Sequence, residues 1–290
     1  MAATASPQFT LYSDVASQWA YVAHLTIDEK GYDPREYVVK QVGLLDAENF
    51  NPEYVKINPN GTIPSLTSAS LPEPLIESTD IVKHLDSNRP DRSPLFPADA
   101  RLRSKVEEFI AHVHQPSLST NLILLQARDP EELRAKTASV IKAFVNKRQE
   151  KLVKYGGAHP EIPLYAMRAS DNGQLHRLYN AHEIGPEHEK FFEASLQGYK
   201  DYAAGLDKLN SMLVLPYAAG NQVTAADVHI TPWLAHALWA AGAKSVDDFE
   251  PLRNLVRKSV PDFEFGENIK TWWGNISARE SFKKNYPNLH

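Results

Sequence analysis

Asn58-Pro59-Asn60-Gly61-Thr62-Ile63-Pro64-Ser65-Leu66 and, shortly after, Leu75-Ile76-Glu77-Ser78 read as a backbone edge with a polar clamp behind it. A proline at the entrance of a strand supplies no ladder donor, and a cis bond at such a place is a purposeful feature. The Ile63-Pro64 entry is therefore expected to leave main-chain N–H and C=O groups for a ligand. Glu77 and Ser78 stand just before a helical run, Thr79-Asp80-Ile81-Val82-Lys83-His84-Leu85. A carboxylate, a hydroxyl and helix N-terminal N–H groups then converge on one point. That combination suits an amino-acid head group, whose ammonium pairs with the acid and whose carboxylate takes the donors. Edge and clamp together fit a small peptide.

Upstream, residues 8–13 form a short β-prone run, and residues 16–30 carry apolar side chains at helical spacing up to the stop signal Gly31. Residues 35–42 hold a second β-branched run at the distance a parallel βα crossover requires. A short helix near 46–56, two strands over 65–68 and 73–76, and a helix over 78–87 complete a βαβ then ββα order. Residues 88–97 contain three prolines without periodicity and read as a linker between domains. Beyond it, apolar spacing predicts helices over about 98–128, 131–155, 186–212, 224–241 and 266–286. Thr224-Ala225-Ala226-Asp227 is a capping-box-like helix start, a folding device. The chain thus reads as a small α/β domain followed by an all-helical one.

The 290 residues are 42% hydrophobic and 23% charged, the balance of an ordinary globular protein. A net charge of −5 and a pI near 6.1 speak against a general grip on polyanions, so nucleic acid is not expected as a partner. Cysteine is absent, which removes disulfides, zinc-thiolate sites and cysteine nucleophiles. Any sulfur chemistry must come from a ligand. His176, His182 and His188 show no ligand spacing, and no metal is expected. Residues 1–7 lack the basic start and apolar core of a secretion signal, and no run approaches the roughly 18 apolar residues of a membrane span. A cytoplasmic protein without a membrane partner is expected.

A βαβ-ββα unit with Ile63-Pro64 before its third strand and Glu77-Ser78 at its last helix, joined to a helical half, resembles the cytosolic glutathione transferases over nearly the whole chain. Leu11-Tyr12, the loop reaching Ser17, and Ile27-Asp28-Glu29-Lys30-Gly31 are similar to the phi-like, plant and fungal serine-type members at their first strand, catalytic serine and first-helix end. Trp272-Trp273-Gly274-Asn275-Ile276-Ser277-Ala278-Arg279 is similar to the family's ending. The resemblance implies an α/β thioredoxin-like N-terminal domain over 1–90 that binds glutathione, and an all-α C-terminal domain over 98–290 that lines the electrophile site. It also implies a homodimer acting on glutathione and a hydrophobic electrophilic small molecule. Two departures stand out: Asn49-Phe50 precede Asn51-Pro52-Glu53 where phi-like members carry His-Lys, and Thr62 stands where they carry Gln. Residues 129–184 form an insertion, with Tyr155-Gly156-Gly157-Ala158-His159-Pro160 as a turn between helices. It reads as an extended surface helical pair, or as a lid or enlarged acceptor pocket.

The implied chemistry turns a thiol of free pKa roughly 8.5 into a thiolate with the help of a helix N-terminus and a hydroxyl donor. Ser17 is the candidate catalytic donor; its other reading is a plain N-cap, worth about 1 kcal/mol to the helix. Tyr12 is the rival hydroxyl, with packing as its other reading. Asp14 is awkward in the same loop, because a carboxylate beside a thiolate would raise the thiol pKa. Thr62, Ile63, Pro64, Glu77, Ser78 and Asn49 form the glutathione-binding set, against ordinary strand-entry and helix-start roles. Tyr12, Val15, His112, His114 and Trp233 are candidates for the electrophile site, against core or surface roles. The expected activity is a glutathione S-transferase of detoxification or secondary metabolism. Its alternatives are a glutathione-dependent cis/trans isomerase working by reversible addition to an activated alkene, and a non-catalytic scaffold or regulatory binder.

Overall fold

The computed structural model describes residues 7–290; residues 1–6, read above as lacking a secretion signal, lie outside the described residues. In chain order the elements are β1 (Phe9–Ser13), α1 (Gln18–Glu29), β2 (Tyr37–Gln41), α2 (Pro52–Val55), β3 (Ser65–Thr67), α3 (Ser78–Ser87), α4 (Ala100–Val113) and α5 (Asn121–Leu125). They continue with α6 (Pro130–Thr137), α7 (Val140–Ala158), α8 (Pro163–Asn180), α9 (Pro186–Met212), α10 (Ala225–Ala241), α11 (Glu250–Arg257), α12 (Glu267–Ser277) and α13 (Glu280–Asn285). Contacts group these into two units, the first holding residues 7–17, 34–77 and 125–196 and the second residues 18–33, 78–124 and 197–290.

The first unit is built on a three-stranded sheet of order β2-β1-β3, with β2 parallel and β3 antiparallel to the central strand. Leu11 faces Val39 on one side and Leu66 on the other, and both Leu11 and Leu66 are fully buried. The fourth strand expected over 73–76 is reduced to one bridge, in which Leu66 and Leu75 exchange both backbone bonds at 2.8 and 2.9 Å. Pro72 and Pro74 remove the donors that a longer ladder needs. The helix expected over 46–56 divides for a related reason. Asn51, which precedes Pro52, is held extended (φ −59°, ψ 135°) and separates a 3-10 turn at Glu48–Phe50 from α2.

The same unit contains the inserted helices. Asp129 caps α6 by accepting from Glu132 N–H at 2.8 Å, and Ser139 starts α7 by accepting from Ile141 N–H at 3.2 Å. Those two caps divide what helical spacing alone read as one helix over 131–155. α7 and α8 pair as an antiparallel hairpin, zipped by Asn146 with Asn180 and by Gln149 with Asn172. The hairpin does not stand free: Phe50, Val55, Leu152, Leu164 and Tyr165 share one buried cluster with Ala47.

The second unit is a helical core centred on α10, against which α1, α4, α11 and α12 pack. Asp227 organises the start of α10, accepting from Thr224 N–H (2.8 Å), Thr224 Oγ1 (3.0 Å), Ala218 N–H (2.7 Å) and Trp272 Nε1 (2.8 Å). α1 ends at Gly31, whose positive φ of 66° lets Tyr32 N–H return to the Ile27 carbonyl at 3.0 Å. Residues 88–97, read as a linker, are built into this unit. Asp86 accepts from Leu95 and Phe96 N–H at 3.0 and 3.1 Å, and buried Lys30 reaches Asp86 at 2.6 Å and the Ser93 carbonyl at 3.1 Å. By contacts, then, α1 and α3 group with the helical unit and the insertion groups with the sheet, a different division from one at residues 90–98.

The single helix expected over 98–128 stops at Val113, because Gln115 before Pro116 is extended. That over 266–286 breaks at Arg279, which is also extended. Helix α9 occupies the span that its periodicity predicts.

Candidate functional site

Antiparallel pairing of Tyr12 with Ser65 brings the end of β1 and the start of β3 side by side. The loop after β1 carries Ser17, the residue preceding α1, and the loop before β3 carries Ile63-Pro64, whose peptide bond is cis. Ser17 Oγ donates to the Ile63 carbonyl at 3.3 Å, and both residues are nearly buried. The hydroxyl therefore lies on the backbone edge itself. Among the described residues the Ile63 N–H has no partner, as a ligand-docking edge requires.

Asp14, the awkward carboxylate, is turned locally: its Oδ1 accepts from Ala16 N–H at 2.8 Å and its carbonyl accepts from Ser17 N–H at 3.1 Å. It shapes the loop that presents Ser17.

Two residues that motif reading missed hold the cis-proline loop in place. Asn58, fully buried, donates to the Thr62 carbonyl (2.8 Å), Thr62 Oγ1 (3.1 Å) and Ser65 Oγ (3.1 Å). Tyr54 donates its hydroxyl to the Thr62 carbonyl at 2.6 Å and lies 2.9 Å from Ser65 Oγ, and burial pushes its phenol upward. The sequence signal of Asn58 is the Asn-Pro-Asn-Gly turn that it opens, in which Gly61 takes φ 58°; Tyr54, in α2, has none. Thr62 is exposed while its carbonyl is anchored inward. Glu77 is exposed and Ser78 is buried as the first residue of α3, so the expected clamp presents its acid to solvent at a helix start. Asn49 is placed differently from expectation: it is buried, and its amide donates to the Gly61 carbonyl at 2.7 Å. Its side chain braces the loop from inside.

Of the electrophile-site candidates, Tyr12 and Val15 belong to the first unit and His112, His114 and Trp233 to the second. Tyr12 is half-buried, with its ring 5.8 Å from that of Tyr54 and Lys40 Nζ 5.6 Å from its centre. Val15 is exposed beside it in the β1 loop. In the helical unit Trp233 is wholly buried and donates its indole N–H to the Leu118 carbonyl at 2.7 Å. His112 is also buried, its Nε2 lying 2.9 Å from the Gly205 carbonyl. Both are core residues, which corrects their reading as acceptor-site lining. His114 stacks on Trp19 with ring centres 3.9 Å apart and meets His229 Nδ1 at 3.0 Å through its Nε2. Desolvation pushes His114 down to about 4, and buried His229 well below the usual histidine range.

A depression of about 570 Å³ in the helical unit is lined by Glu29, Tyr217 and Arg279. Its charges are already paired: Arg279 grips Glu29 with two bonds of 2.8 and 2.7 Å, and Asp28 and Glu280, which also line it, pair with Lys284 and Lys283. It ties α1 to the C-terminal helices. Among the described residues no three His, Asp or Glu side chains gather to hold a metal, and no helix is long and apolar enough to cross a membrane.

Residues 11–93 match the family model described as the glutathione S-transferase N-terminal domain. A zeta-class glutathione S-transferase of Euphorbia esula is 36% identical over 93 residues, which are 32% of this chain and 39% of that protein. The chain spans about two-fifths of the length of the curated relatives it matches. Among solved structures, the beta-etherase LigF from Sphingobium sp. strain SYK-6 superposes with a TM-score of 0.64 at 17% identity, covering 97% of this chain and 99% of that one. A glutathione transferase homologue from Sulfitobacter with bound glutathione gives 0.58 at 16% identity over 96% of each chain. At such identities the likeness establishes the fold, a thioredoxin-like N-terminal part with a helical C-terminal part.

Proposed function

With residues 11–93 placing this chain in the cytosolic glutathione transferase superfamily, we propose that it binds glutathione along the Ile63-Pro64 edge and transfers the glutathione thiolate to a hydrophobic electrophile. The observation that carries this reading is the 3.3 Å bond from Ser17 Oγ to the Ile63 carbonyl. A cysteinyl residue paired with the Ile63 main chain has its sulfur beside that hydroxyl.

Ser17 then exchanges its bond to the carbonyl for one to sulfur, which stabilises the thiolate and favours loss of the thiol proton to solvent. The sulfur lone pair forms a bond to the electrophilic carbon while that carbon's bond to its leaving group breaks and the bonding pair departs with that group; on an activated alkene the π pair moves instead to the neighbouring carbon, which takes a proton from solvent. Exposed Glu77 pairs with the γ-glutamyl ammonium, and Ser78 at the start of α3 meets the adjacent carboxylate. The bound glutathione of the Sulfitobacter homologue supports glutathione as the ligand.

Calorimetric titration of the wild type and of Glu77→Ala with glutathione tests the reading. Micromolar-to-millimolar binding that the substitution abolishes is expected. Absence of heat with folded wild type overturns it and favours the non-catalytic module. Product analysis on aryl ethers and activated alkenes then separates a stable conjugate from an isomer, in which the same adduct collapses back without consuming glutathione.

A further inference from the structure

Helix α7 carries Lys142, Lys147, Arg148, Lys151 and Lys154 against Glu150 alone. Residues 147, 148, 151 and 155 share one face at helical spacing, and that face meets the segment 46–51. Lys147 pairs with Asp46, Arg148 lies over the Phe50 ring at 4.6 Å, and Lys151 and Tyr155 reach Asn51 Oδ1 at 3.3 and 2.8 Å. From α8, Tyr165 donates to the Phe50 carbonyl at 3.0 Å.

Within this well-paired interface two cations are left over. Apart from the Phe50 ring under Arg148, Arg148 and Arg168 make no hydrogen bond or ion pair among the described residues, and Arg168 Nε is buried without a partner. Gln149 Nε2 donates to the Ala169 carbonyl at 3.1 Å, which sets the two arginines at one level of the α7–α8 hairpin. Burial, then the neighbouring Arg168 charge, push the Arg148 guanidinium down to about 10, with Asp171 opposing. A desolvated like-charge pair is costly unless an anion joins it. Two guanidiniums beside one opposing carboxylate, Asp171, with Lys151 on the same face as Arg148, leave an excess of positive charge for an anion to balance. The planar fork of arginine matches a carboxylate.

We propose that Arg148 and Arg168 form a carboxylate-binding site on the inserted hairpin. Two sources supply that chemistry: the glycyl end of glutathione, which rests on the function proposed above, or a separate organic acid. The first is geometrically near, because the Phe50 ring covered by Arg148 also abuts Gly61, where a Cβ would lie 3.0 Å from it. Gly61 leads into Thr62 and Ile63, and an extended tripeptide spans about 10 Å.

Calorimetry on the full chain, as wild type, Arg148→Gln and Arg168→Gln, with glutathione, its glycyl ethyl ester and propionate as probes, tests this. If the glycyl end is the ligand, wild type prefers glutathione to the ester by tenfold or more, about 1.4 kcal/mol, and both variants lose that preference. If a separate acid is the ligand, wild type treats the two peptides alike but binds propionate, and the variants do not. Variants that keep every wild-type preference and heat overturn the site. Wild type that binds neither peptide ends the glutathione reading, and the propionate comparison then decides the site by itself. Thermal melting adds an independent readout: Arg168→Gln holds or raises the midpoint if the pair is unbalanced, whereas a fall of several degrees marks Arg168 as structural and overturns the proposal.

Discussion

Ser17 and Ile63, 46 residues apart, are joined by a hydrogen bond from the serine Oγ to the isoleucine carbonyl at 3.3 Å. The bond is long for a hydroxyl donor, whose usual partner distance is about 2.7–2.8 Å, so a thiolate accepting from the same proton displaces it at small cost. Hydrogen bonds to charged acceptors contribute about 1.5–3 kcal/mol. Ser17→Ala is therefore expected to lower kcat/KM roughly 10- to 100-fold while glutathione affinity changes little. Ultraviolet absorbance of the bound thiolate against pH should show its pKa raised. Unchanged rate and thiol pKa would remove Ser17 from the chemistry and turn attention to Tyr12.

Gly61 stands at φ 58°, and a Cβ built on it lies 3.0 Å from two ring carbons of Phe50 and 3.1 Å from Leu164 Cδ2. Gly61→Ala meets both a left-handed backbone penalty of about 1–2 kcal/mol and an overpacking cost of about 1–3 kcal/mol. Urea unfolding is expected to show a loss in that range. A loss below about 0.5 kcal/mol would mean that the hairpin yields at Leu164 without resistance.

The Tyr165 hydroxyl is the buried polar bolt between α8 and the 3-10 turn, donating to the Phe50 carbonyl at 3.0 Å. Tyr165→Phe keeps the ring in its cluster and removes only that bond, so a cost of about 0.5–1.5 kcal/mol is expected. Limited proteolysis should then cut the α6–α8 segment faster than in wild type. Equal cleavage rates would show that apolar packing alone docks the hairpin.

These contacts mark where sequence reading ends. Ile63-Pro64 and Gly31 were legible because proline and glycine constrain the backbone wherever they occur, and the span of α9 was legible because its apolar period is unbroken. Phe50 beside Asn49 read only as a missing pair of cations. Its partner Arg148 lies 98 residues away, and no local pattern announces which cation will lie over which ring. Trp233 was illegible for the converse reason: α10 is apolar on nearly every side and buried throughout most of its length, so helical spacing assigns it no ligand-facing stripe. His112 lies on the buried side of α4 with Val106, Phe109 and Val113. Helix α11 was missed because only Leu252, Leu255 and Val256 mark its buried side between charged residues.

Asp227 binds the α10 entrance to Trp272 through four accepted hydrogen bonds, all at 3.0 Å or less. Burial pushes its carboxyl upward despite those donors. Asp227→Ala strands the donors of Ala218, Thr224 and Trp272 in the core and is expected to cost about 3–5 kcal/mol, enough to leave little folded protein at physiological temperature. Asp227→Asn keeps the shape and part of the acceptor capacity and should recover some of that loss. Denaturant midpoints of the two variants check the order; an alanine variant as stable as the asparagine one would show that packing, not the capping network, holds this corner.

The histidines of the helical unit impose a pH dependence whose sign follows from their burial. His24, His114 and His236 are pushed down to about 4, and His229 further, chiefly by desolvation. In the unfolded chain they titrate near 6.5, so between about pH 4 and 6.5 the unfolded state binds more protons and stability falls as pH falls. Above that window the contribution is fully present; below it the loss is complete for His24, His114 and His236 and continues for His229. The urea midpoint is therefore expected to drop from pH 7.5 to pH 4.5, and His236→Gln, which removes one buried titrating ring, to flatten the drop. A variant with an undiminished slope would assign the acid sensitivity to carboxylates instead.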